Sequence, residues 1–279
     1  MTNLLVNVRP DHVERYQQKL ATYSDFNVTF VTSHAEAAAV IADRVRHVDV
    51  FVVDNEMLGV YEFISELRQS YPRMLIILVD EGADFGMPGQ ADDITTDPFS
   101  HDDLANRIRR MMSDRKQETL RSDSLPAVRN IAKKLRQAIG VLGKQEAAVE
   151  ACQELGYDYV AYYDIVAKDP LDLTLKAQRG PKAILPIAPK KANADDLMGW
   201  VLMNGQSRIA APEDKPNHPL VARGRLGAVV CVPVSFNEAV FGVVAACRDR
   251  PNSITQENVL ILELICTQLA TMLLREKQG

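Results

Sequence analysis

The sequence lacks the cysteine and histidine patterns that usually mark metal or redox sites. Its four cysteines include no Cys-x-x-Cys pair, and its five histidines include no His-x-x-x-His or His-x-x-Glu spacing. Each cysteine stands among apolar residues, so we expect four small, buried hydrophobic side chains. The sequence therefore predicts no metal site and no cofactor.

Strong charge and long apolar runs are also missing. The formal net charge is −5, which argues against non-specific binding to nucleic acid or to an anionic membrane surface. No apolar run reaches the ~18 residues of a membrane-spanning helix, and the first residues lack the charge pattern of a signal peptide. We expect a cytoplasmic protein. Its 279 residues, 47% of them hydrophobic, are enough for two domains.

The first half, residues 1–113, alternates short apolar strands with helical patterns. We expect a helix capped by Ser33 through a capping box with Glu36, and a last helix that starts at Ser100. Alternating strands and helices are typical of a doubly wound α/β domain with a parallel sheet. The predicted strands are residues 4–8, 27–32, 48–53, 74–79 and 93–96.

Asp54 is the main candidate residue of this half. It ends the buried run DVFVVD, and ligands of parallel sheets bind at the carboxyl ends of the strands. The polar segment 114–127 is treated as a linker, either a loop or a solvated helix, and Pro126 favours the start of a new helix.

The second half, residues 128–279, has a different order. One helical stripe covers 128–142, and a second helix ends at Gly156. A short helix at 195–205 closes with Gly205, two strands flank a hairpin signal at Asn237-Glu238, and a long helix closes the chain. Adjacent hairpin strands with helices at both ends predict an α+β module with an antiparallel sheet.

The last helix is apolar over most of its circumference. A helix packed on one sheet needs an apolar arc of only ~100° or a little more. We therefore expect a homodimer through the helices of the second half. The alternative is that the module buries the whole helix within one chain.

The first half resembles a two-component receiver domain, which has a flavodoxin-like fold. The resemblance rests on VVDNEM around Asp54, on QADDITTDPF at 90–99 and on the five strand-helix units. It implies a phosphoacceptor at Asp54, an acidic Mg²⁺-binding pair at the end of the first strand, a lysine before Pro-Phe and a hydroxyl residue ending the fourth strand. This sequence keeps Asp54 but has Asn7 and Val8 in place of the acidic pair. It has Asp97 in place of the lysine and Val79 in place of the hydroxyl residue.

These departures weaken the chemistry that the resemblance implies. Two unit charges ~4 Å apart interact by about 4 kcal/mol at an effective dielectric of 20. Because Asp97 stands where the family has a lysine, an attraction to a phosphorylated Asp54 becomes a repulsion of similar size. We interpret the crevice as too anionic and too poor in cations for an acyl phosphate. No amphipathic helix fits the Gly-rich segment 80–92, so we expect the fourth helix to be lost or reduced to a turn. Together these features indicate a pseudo-receiver, a fold kept for protein contacts, with a vestigial Asp54.

The second half resembles a GAF domain, with residues 199–216 and 225–270 carrying the likeness. GAF domains resemble a cup that is roofed by helices and loops, so Trp200, His218 and Arg223 are candidate pocket residues. The cyclic-nucleotide signature and a roof cysteine for a bilin are both missing. Haem through His218, another small ligand and an empty, purely dimerising domain stay open.

The leading hypothesis is therefore a non-catalytic signal-transduction protein, a response-regulator relative that passes its output to other signalling proteins through contacts. One alternative is a genuine response regulator phosphorylated on Asp54, with Asp11 helping to bind Mg²⁺ in an unusual way. A third is an aspartyl-phosphate hydrolase, whose Asp-x-Asp motif the DNE at 54–56 partly resembles.

Overall fold

The chain contains two compact units with different sheets. The computed structural model describes residues 1–43, 46–82, 90–122, 126–236 and 239–278. Contacts divide the chain into Met1–Glu118 and Thr119–Gly279. This division falls within the segment 114–127 that the sequence analysis treats as a linker, and the chain is helical as far as Ser122.

The amino-terminal unit is built on a five-stranded parallel sheet in the order β2-β1-β3-β4-β5. This arrangement confirms the parallel α/β prediction and is compatible with a flavodoxin-like fold. The strands are β1 (Thr2–Asn7), β2 (Phe26–Val31), β3 (Val50–Asp54), β4 (Leu75–Val79) and β5 (Asp93–Thr95). The helices are α1 (Val13–Leu20), α2 (His34–Ala42), α3 (Val60–Ser70) and α4 (Asp103–Ser122).

The central strand β3 is buried over its whole length because helices cover both faces of the sheet. Val50 and Val52 pack into a core with α1 and α4, while Phe51 contacts Phe63 of α3 edge to face. Since side chains alternate along a strand, Asp54 follows Val50 and Val52 and points toward the α1 side of the sheet. The fold thus fixes where the candidate carboxylate lies.

Two predicted helix starts have different outcomes. At α2 the Ser33 hydroxyl accepts the backbone N–H of Glu36, as predicted, while the Glu36 carboxylate accepts from Thr32 N rather than from Ser33. The start at Ser100 is wrong. His101 and Asp102 have positive φ angles, which interrupt the helix, so a 3₁₀ turn covers 100–102 and α4 begins at Asp103.

The predicted loss of a helix in 80–92 falls largely on 83–89, outside the described residues.

The carboxyl-terminal unit is built on a six-stranded antiparallel sheet in the order β8-β7-β6-β11-β10-β9, which confirms the α+β prediction. The strands are β6 (Tyr159–Lys168), β7 (Leu171–Arg179), β8 (Lys191–Asn193), β9 (Arg208–Ala210), β10 (Ala228–Phe236) and β11 (Ala239–Arg248). The helices are α5 (Pro126–Gln137), α6 (Gly140–Glu154), α7 (Leu197–Asn204), α8 (Pro219–Ala222) and α9 (Gln256–Gln278). The hairpin residues 237 and 238 lie outside the described part of the chain.

The helical stripe predicted over 128–142 is interrupted, so that prediction is wrong. Ile139 is extended, and Gly140 has φ +69°, a left-handed conformation that favours glycine. Buried Lys144 strengthens the break, because its ammonium donates to the carbonyl of Ala138 and pairs with Glu276 of α9 at 2.8 Å. The helix predicted to close at Gly205 is confirmed, with Gly205 at φ +66°.

Helix α9 is buried within its own unit. It contacts β10, α5 and α6, and the large apolar side chains described on it are at least partly buried. By length and composition alone, residues Gln256–Glu276 could cross a membrane, but 56% of that window is buried inside the protein. Burial against the sheet and two helices explains the apolar composition of α9, which is the alternative that the sequence analysis left open.

Gly199 in α7 provides a stability test. A Cβ atom there would lie 2.0 Å from the Asn193 carbonyl oxygen, whereas a Cβ at Gly143 in α6 would meet only ordinary contacts at 3.9 Å. We expect Gly199→Ala to lower the free energy of unfolding of this unit by about 1–3 kcal/mol or more through overpacking. Gly143→Ala should be neutral or stabilising by up to about 1 kcal/mol through helix propensity. Denaturant titration followed by the fluorescence of Trp200, the single tryptophan, measures both. Equal effects of the two substitutions would contradict the packing described.

Candidate functional site

Asp54 lies at the carboxyl end of β3 and is only 5% exposed. Its Oδ1 accepts the backbone N–H of Glu56 at 2.9 Å, and its Oδ2 lies 3.0 Å from Nδ1 of His12. An ionised carboxylate only accepts hydrogen bonds, so the His12 Nδ1 carries the hydrogen and donates it. Both oxygens of the carboxylate therefore have partners within the protein.

His12 was missed by the sequence analysis. It stands in the connection between β1 and α1, directly before the first residue of α1, and its side chain is partly exposed. The topology places this connection beside the end of β3, because β1 and β3 are parallel neighbours. A polar residue in the first strand-helix connection was the available signal, and it carries no distinctive spacing.

Arg9 was missed as well. Its guanidinium contacts the carboxylates of Asp11 and Glu56, each at 2.5 Å. Asp11 is exposed, and the hydrogen bond from Arg9 lowers the pKa of its carboxyl group. The Asp11 carboxylate thus pairs with Arg9 at the surface and lies 3.9 Å from Nε2 of His12, and α1 begins two residues later at Val13.

The end of β1 supplies no carboxylate. Asn7 and Val8 are fully buried, and the Asn7 amide donates to Nδ1 of His34 at 3.0 Å. The Nε2–H of His34 donates to the Leu58 carbonyl at 3.1 Å, and its ring stacks on Phe63. Burial lowers the pKa of His34, in keeping with a neutral ring that accepts at Nδ1. Asn7 offers one neutral amide oxygen and Val8 offers none, so the end of β1 lacks the acidic pair that the receiver resemblance implies for Mg²⁺.

The other two departures from the receiver pattern, Val79 and Asp97, lie at the end of β4 and after β5, as the sequence predicts. Val79 is buried and is the register partner of Asp54 across β3 and β4, so it brings no hydroxyl group to the site. Asp97 is exposed after β5. Nearby, the Arg15 guanidinium lies 4.2 Å from the centre of the Phe99 ring and pairs with Glu81 at 2.9 Å.

Tyr16 adds a buried hydroxyl group to this region. The residue is fully buried, its ring packs edge to face on Phe99, and its hydroxyl has no hydrogen-bond partner. Burial raises the pKa of Tyr16, and the negative charges of Asp54 and Glu81 raise it further. The hydroxyl group therefore lies within the electrostatic field of the Asp54 carboxylate.

Within the part of the chain that the structure describes, one group of three His, Cys, Asp or Glu side chains has the spacing of a metal site. It consists of His12, Asp54 and Glu56, whose ligand atoms all lie within 4.8 Å of one another. The sequence analysis predicted no metal site because His12 is 42 residues distant from Asp54 and motif spacing does not reveal such a pair.

In the carboxyl-terminal unit, two of the three candidate pocket residues are buried together with the sheet. Trp200 on α7 is fully buried, and the Arg208 guanidinium lies 4.8 Å from the centre of its ring. His218, just before α8, is fully buried, and its ring lies 6.4 Å from that of Tyr159. Arg223, at the end of α8, is exposed.

Tyrosine side chains from β6 fill much of this face and were not predicted. Tyr159 and Tyr163 are fully buried, and their hydroxyl groups donate to the Gln178 side chain at 3.1 Å and to the Pro189 carbonyl at 2.9 Å. Their spacing of four residues on a strand, both on one face, was the available signal. Side chains thus occupy the floor of the region where the resemblance places a pocket.

His218 is held as a neutral ring. Its Nδ1 accepts the backbone N–H of Leu220 at 3.3 Å, so Nε2 carries the hydrogen, and that atom has no hydrogen-bond partner. Burial lowers the pKa of His218 to about 3, because the charged ring would be desolvated there.

This neutral histidine predicts a pH dependence of stability. Below its ordinary pKa of 6.5 the unfolded chain protonates His218 while the folded chain does not. The unfolded state then binds more protons, so stability falls as the pH decreases from 6.5 toward about 3. We expect His218→Asn, which keeps an acceptor for Leu220, to lose less stability over this range than the wild type. Denaturant titrations at several pH values measure this difference, and parallel curves for the two proteins would contradict it.

Comparison with known proteins assigns the second unit. The family model described as a GAF domain matches residues 145–273. No curated protein matches the chain. Three solved structures of low identity are similar to it. The GAF domain of an Acinetobacter phosphoenolpyruvate-protein phosphotransferase is 16% identical with TM-score 0.44, covering 55% of this chain and 93% of that one.

The second is a Neisseria meningitidis free methionine-R-sulfoxide reductase, 16% identical with TM-score 0.46, covering 53% of this chain and 86% of that one. The third is the chromophore-binding domain of a bacteriophytochrome from R. palustris, 14% identical with TM-score 0.45, covering 55% and 61%. Values this low specify no ligand or activity, so the family match and the antiparallel sheet carry the assignment. Residues 145–273 are a GAF domain.

Proposed function

We propose that the protein is a non-catalytic signal-transduction protein. Homologous GAF domains are signalling and ligand-sensing domains, and this unit supplies the sensing or assembly part. The unit Met1–Glu118 is a pseudo-receiver that binds other signalling proteins of a two-component type. No small ligand of the GAF domain and no cofactor is assigned.

The observation that carries this proposal is the state of Asp54. A phosphoacceptor carboxylate needs an accessible oxygen and a cation that neutralises the incoming phosphoryl group. Asp54 is 5% exposed, and both its oxygens accept hydrogen bonds, from His12 and from the Glu56 amide. The positions that the receiver resemblance assigns to metal binding hold Asn7 and Val8, which are buried without a carboxylate.

The crevice around Asp54 has more cationic groups near it than the sequence analysis assumed. Arg9 and Arg15 both lie near it, but each is already paired with carboxylates, Arg9 with Asp11 and Glu56 and Arg15 with Glu81. Ion pairs of this kind leave little net positive charge for a phosphoryl group. The absence of the lysine before Pro-Phe is therefore not compensated by either guanidinium.

Genuine phosphorylation of Asp54 is the alternative, and intact mass separates the two. We expect full-length protein incubated with Mg²⁺ and acetyl phosphate to show no phosphoryl adduct, while a working receiver domain treated in parallel shows one. The reason is that Asp54 keeps its two internal partners and that the end of β1 supplies no acidic pair to bind Mg²⁺. An adduct that appears on the wild type and disappears in Asp54→Asn would contradict the proposal.

The proposal includes a homodimer formed through helices of the GAF unit. Because α9 is buried in its own chain, the contact is placed at the junction of α5 and α6. Three large apolar side chains are exposed there, Ile139 at 92%, Leu142 at 53% and Val141 at 41%. We also propose a cytoplasmic location, which the four free, buried cysteines support.

Light scattering after size-exclusion chromatography tests the dimer. We expect the wild type to be dimeric and the double variant Ile139→Glu, Leu142→Glu to be monomeric, since two charges would be desolvated in the contact. Val166→Glu is the matched control, because Val166 is an exposed apolar residue that lies on strand β6 and not on α5 or α6, and it should leave the dimer intact. A monomeric wild type, or a dimer that survives the double substitution, would refute this part of the proposal.

A further inference from the structure

We propose that His12, Asp54 and Glu56 form a binding site for a transition-metal cation of the zinc class. This inference is independent of the proposed function, which assigns no metal to either unit. It rests on the three side chains whose ligand atoms all lie within 4.8 Å of one another. The donor set is one imidazole nitrogen and two carboxylate oxygens, which Zn²⁺ accepts as ligands.

The distances suit a single small cation. With metal–ligand bonds of about 2.0–2.2 Å, neighbouring ligands in a tetrahedral Zn²⁺ site lie roughly 3.4 Å apart. His12 Nδ1 and Asp54 Oδ2 are 3.0 Å apart, so a small outward shift of the exposed Glu56 and the partly exposed His12 accommodates the ion. Asp54 itself is held in place by the Glu56 amide at 2.9 Å.

The charges around the site are balanced for a divalent cation. Asp54 and Glu56 supply two negative charges, and neutral His12 supplies none. Arg9 contacts Oε2 of Glu56 and also pairs with Asp11, so the charges of Arg9 and Asp11 offset each other. Two carboxylates facing a divalent ion give no net charge, which limits the cost of placing it beside a buried strand end.

Three protein ligands leave one position of a tetrahedral ion for water, and the partly exposed His12 and exposed Glu56 leave that position open to solvent.

The proton balance is simple. In the metal-free protein the His12 Nδ1–H donates to Asp54. Coordination through Nδ1 requires that this hydrogen leave, and the neutral ring then carries its hydrogen on Nε2, which lies 3.9 Å from the exposed carboxylate of Asp11. A neutral His12 therefore changes tautomer without net proton release, and a protonated one releases one proton to solvent.

The same donor set discriminates against Mg²⁺. That ion requires oxygen ligands in near-octahedral geometry and retains several waters. Replacing an oxygen with an imidazole nitrogen favours the borderline-soft ions over Mg²⁺. The proposal thus predicts a preference that an adventitious acidic surface cluster would not show.

Isothermal titration calorimetry of the metal-stripped full-length chain with zinc chloride tests the site, with magnesium chloride titrated in parallel. We expect one Zn²⁺ per chain and binding of Mg²⁺ at least about tenfold weaker. His12→Gln and Asp54→Asn should each weaken Zn²⁺ binding at least about tenfold. Circular dichroism of each variant establishes that it is folded.

The matched control is His47→Gln. His47 pairs with Asp49 at 2.8 Å in the same unit, a similar histidine–carboxylate pair that belongs to no three-residue group among the described side chains. We expect this variant to bind Zn²⁺ as the wild type does. The proposal is overturned if the wild type shows no saturable Zn²⁺ binding, if Mg²⁺ binds equally well, or if a folded His12→Gln or Asp54→Asn keeps wild-type affinity.

Discussion

The hydrogen bond between His12 and Asp54 is the interaction on which the interpretation of the amino-terminal unit depends. A carboxylate at the end of a central parallel strand is placed where such sheets bind ligands. Here Asp54 is 5% exposed, and its two oxygens accept hydrogen bonds from the His12 imidazole and from a backbone amide. The same carboxylate can stabilise a loop, bind a metal with its neighbours or receive a phosphoryl group, and its partners decide among these.

The partners were much harder to predict than the position. Alternating strands and helices place Asp54 at a sheet edge, because each strand of a parallel sheet ends on the same side. His12, Arg9 and Tyr16 reach that edge from a connection and a helix that carry no motif. Their role depends on side-chain direction and on which strands are neighbours, and a single sequence reveals neither.

The same limit explains the errors in element boundaries. Ser100 has the spacing of a helix cap, yet His101 and Asp102 adopt positive φ angles, which are uncommon even for His and Asp and are not specified by the Ser100–Asp103 spacing. The break between α5 and α6 had a visible signal in Gly140, but the apolar stripe continues across it. Conversely, Ser33, Pro126 and Gly205 act locally, and the structure confirms all three.

The GAF unit shows the same limit. Its sheet follows from hairpin strands that alternate with turns, whereas its interior chemistry does not. Tyr159, Tyr163 and Trp200 close the face on which a ligand would bind, and His218 keeps an unpartnered Nε2–H inside it. Family membership therefore identifies the fold of this unit and not the signal that it recognises.

The most direct measurement of the central claim is an NMR titration of the full-length protein with Mg²⁺ and beryllofluoride, a mimic of the acyl phosphate. If Asp54 is a structural carboxylate, the Glu56 amide and the His12 imidazole resonances keep their positions, because their hydrogen bonds to Asp54 persist. Saturable shifts of both resonances, matched by loss of the His12 hydrogen bond, would show that Asp54 still accepts a phosphoryl group.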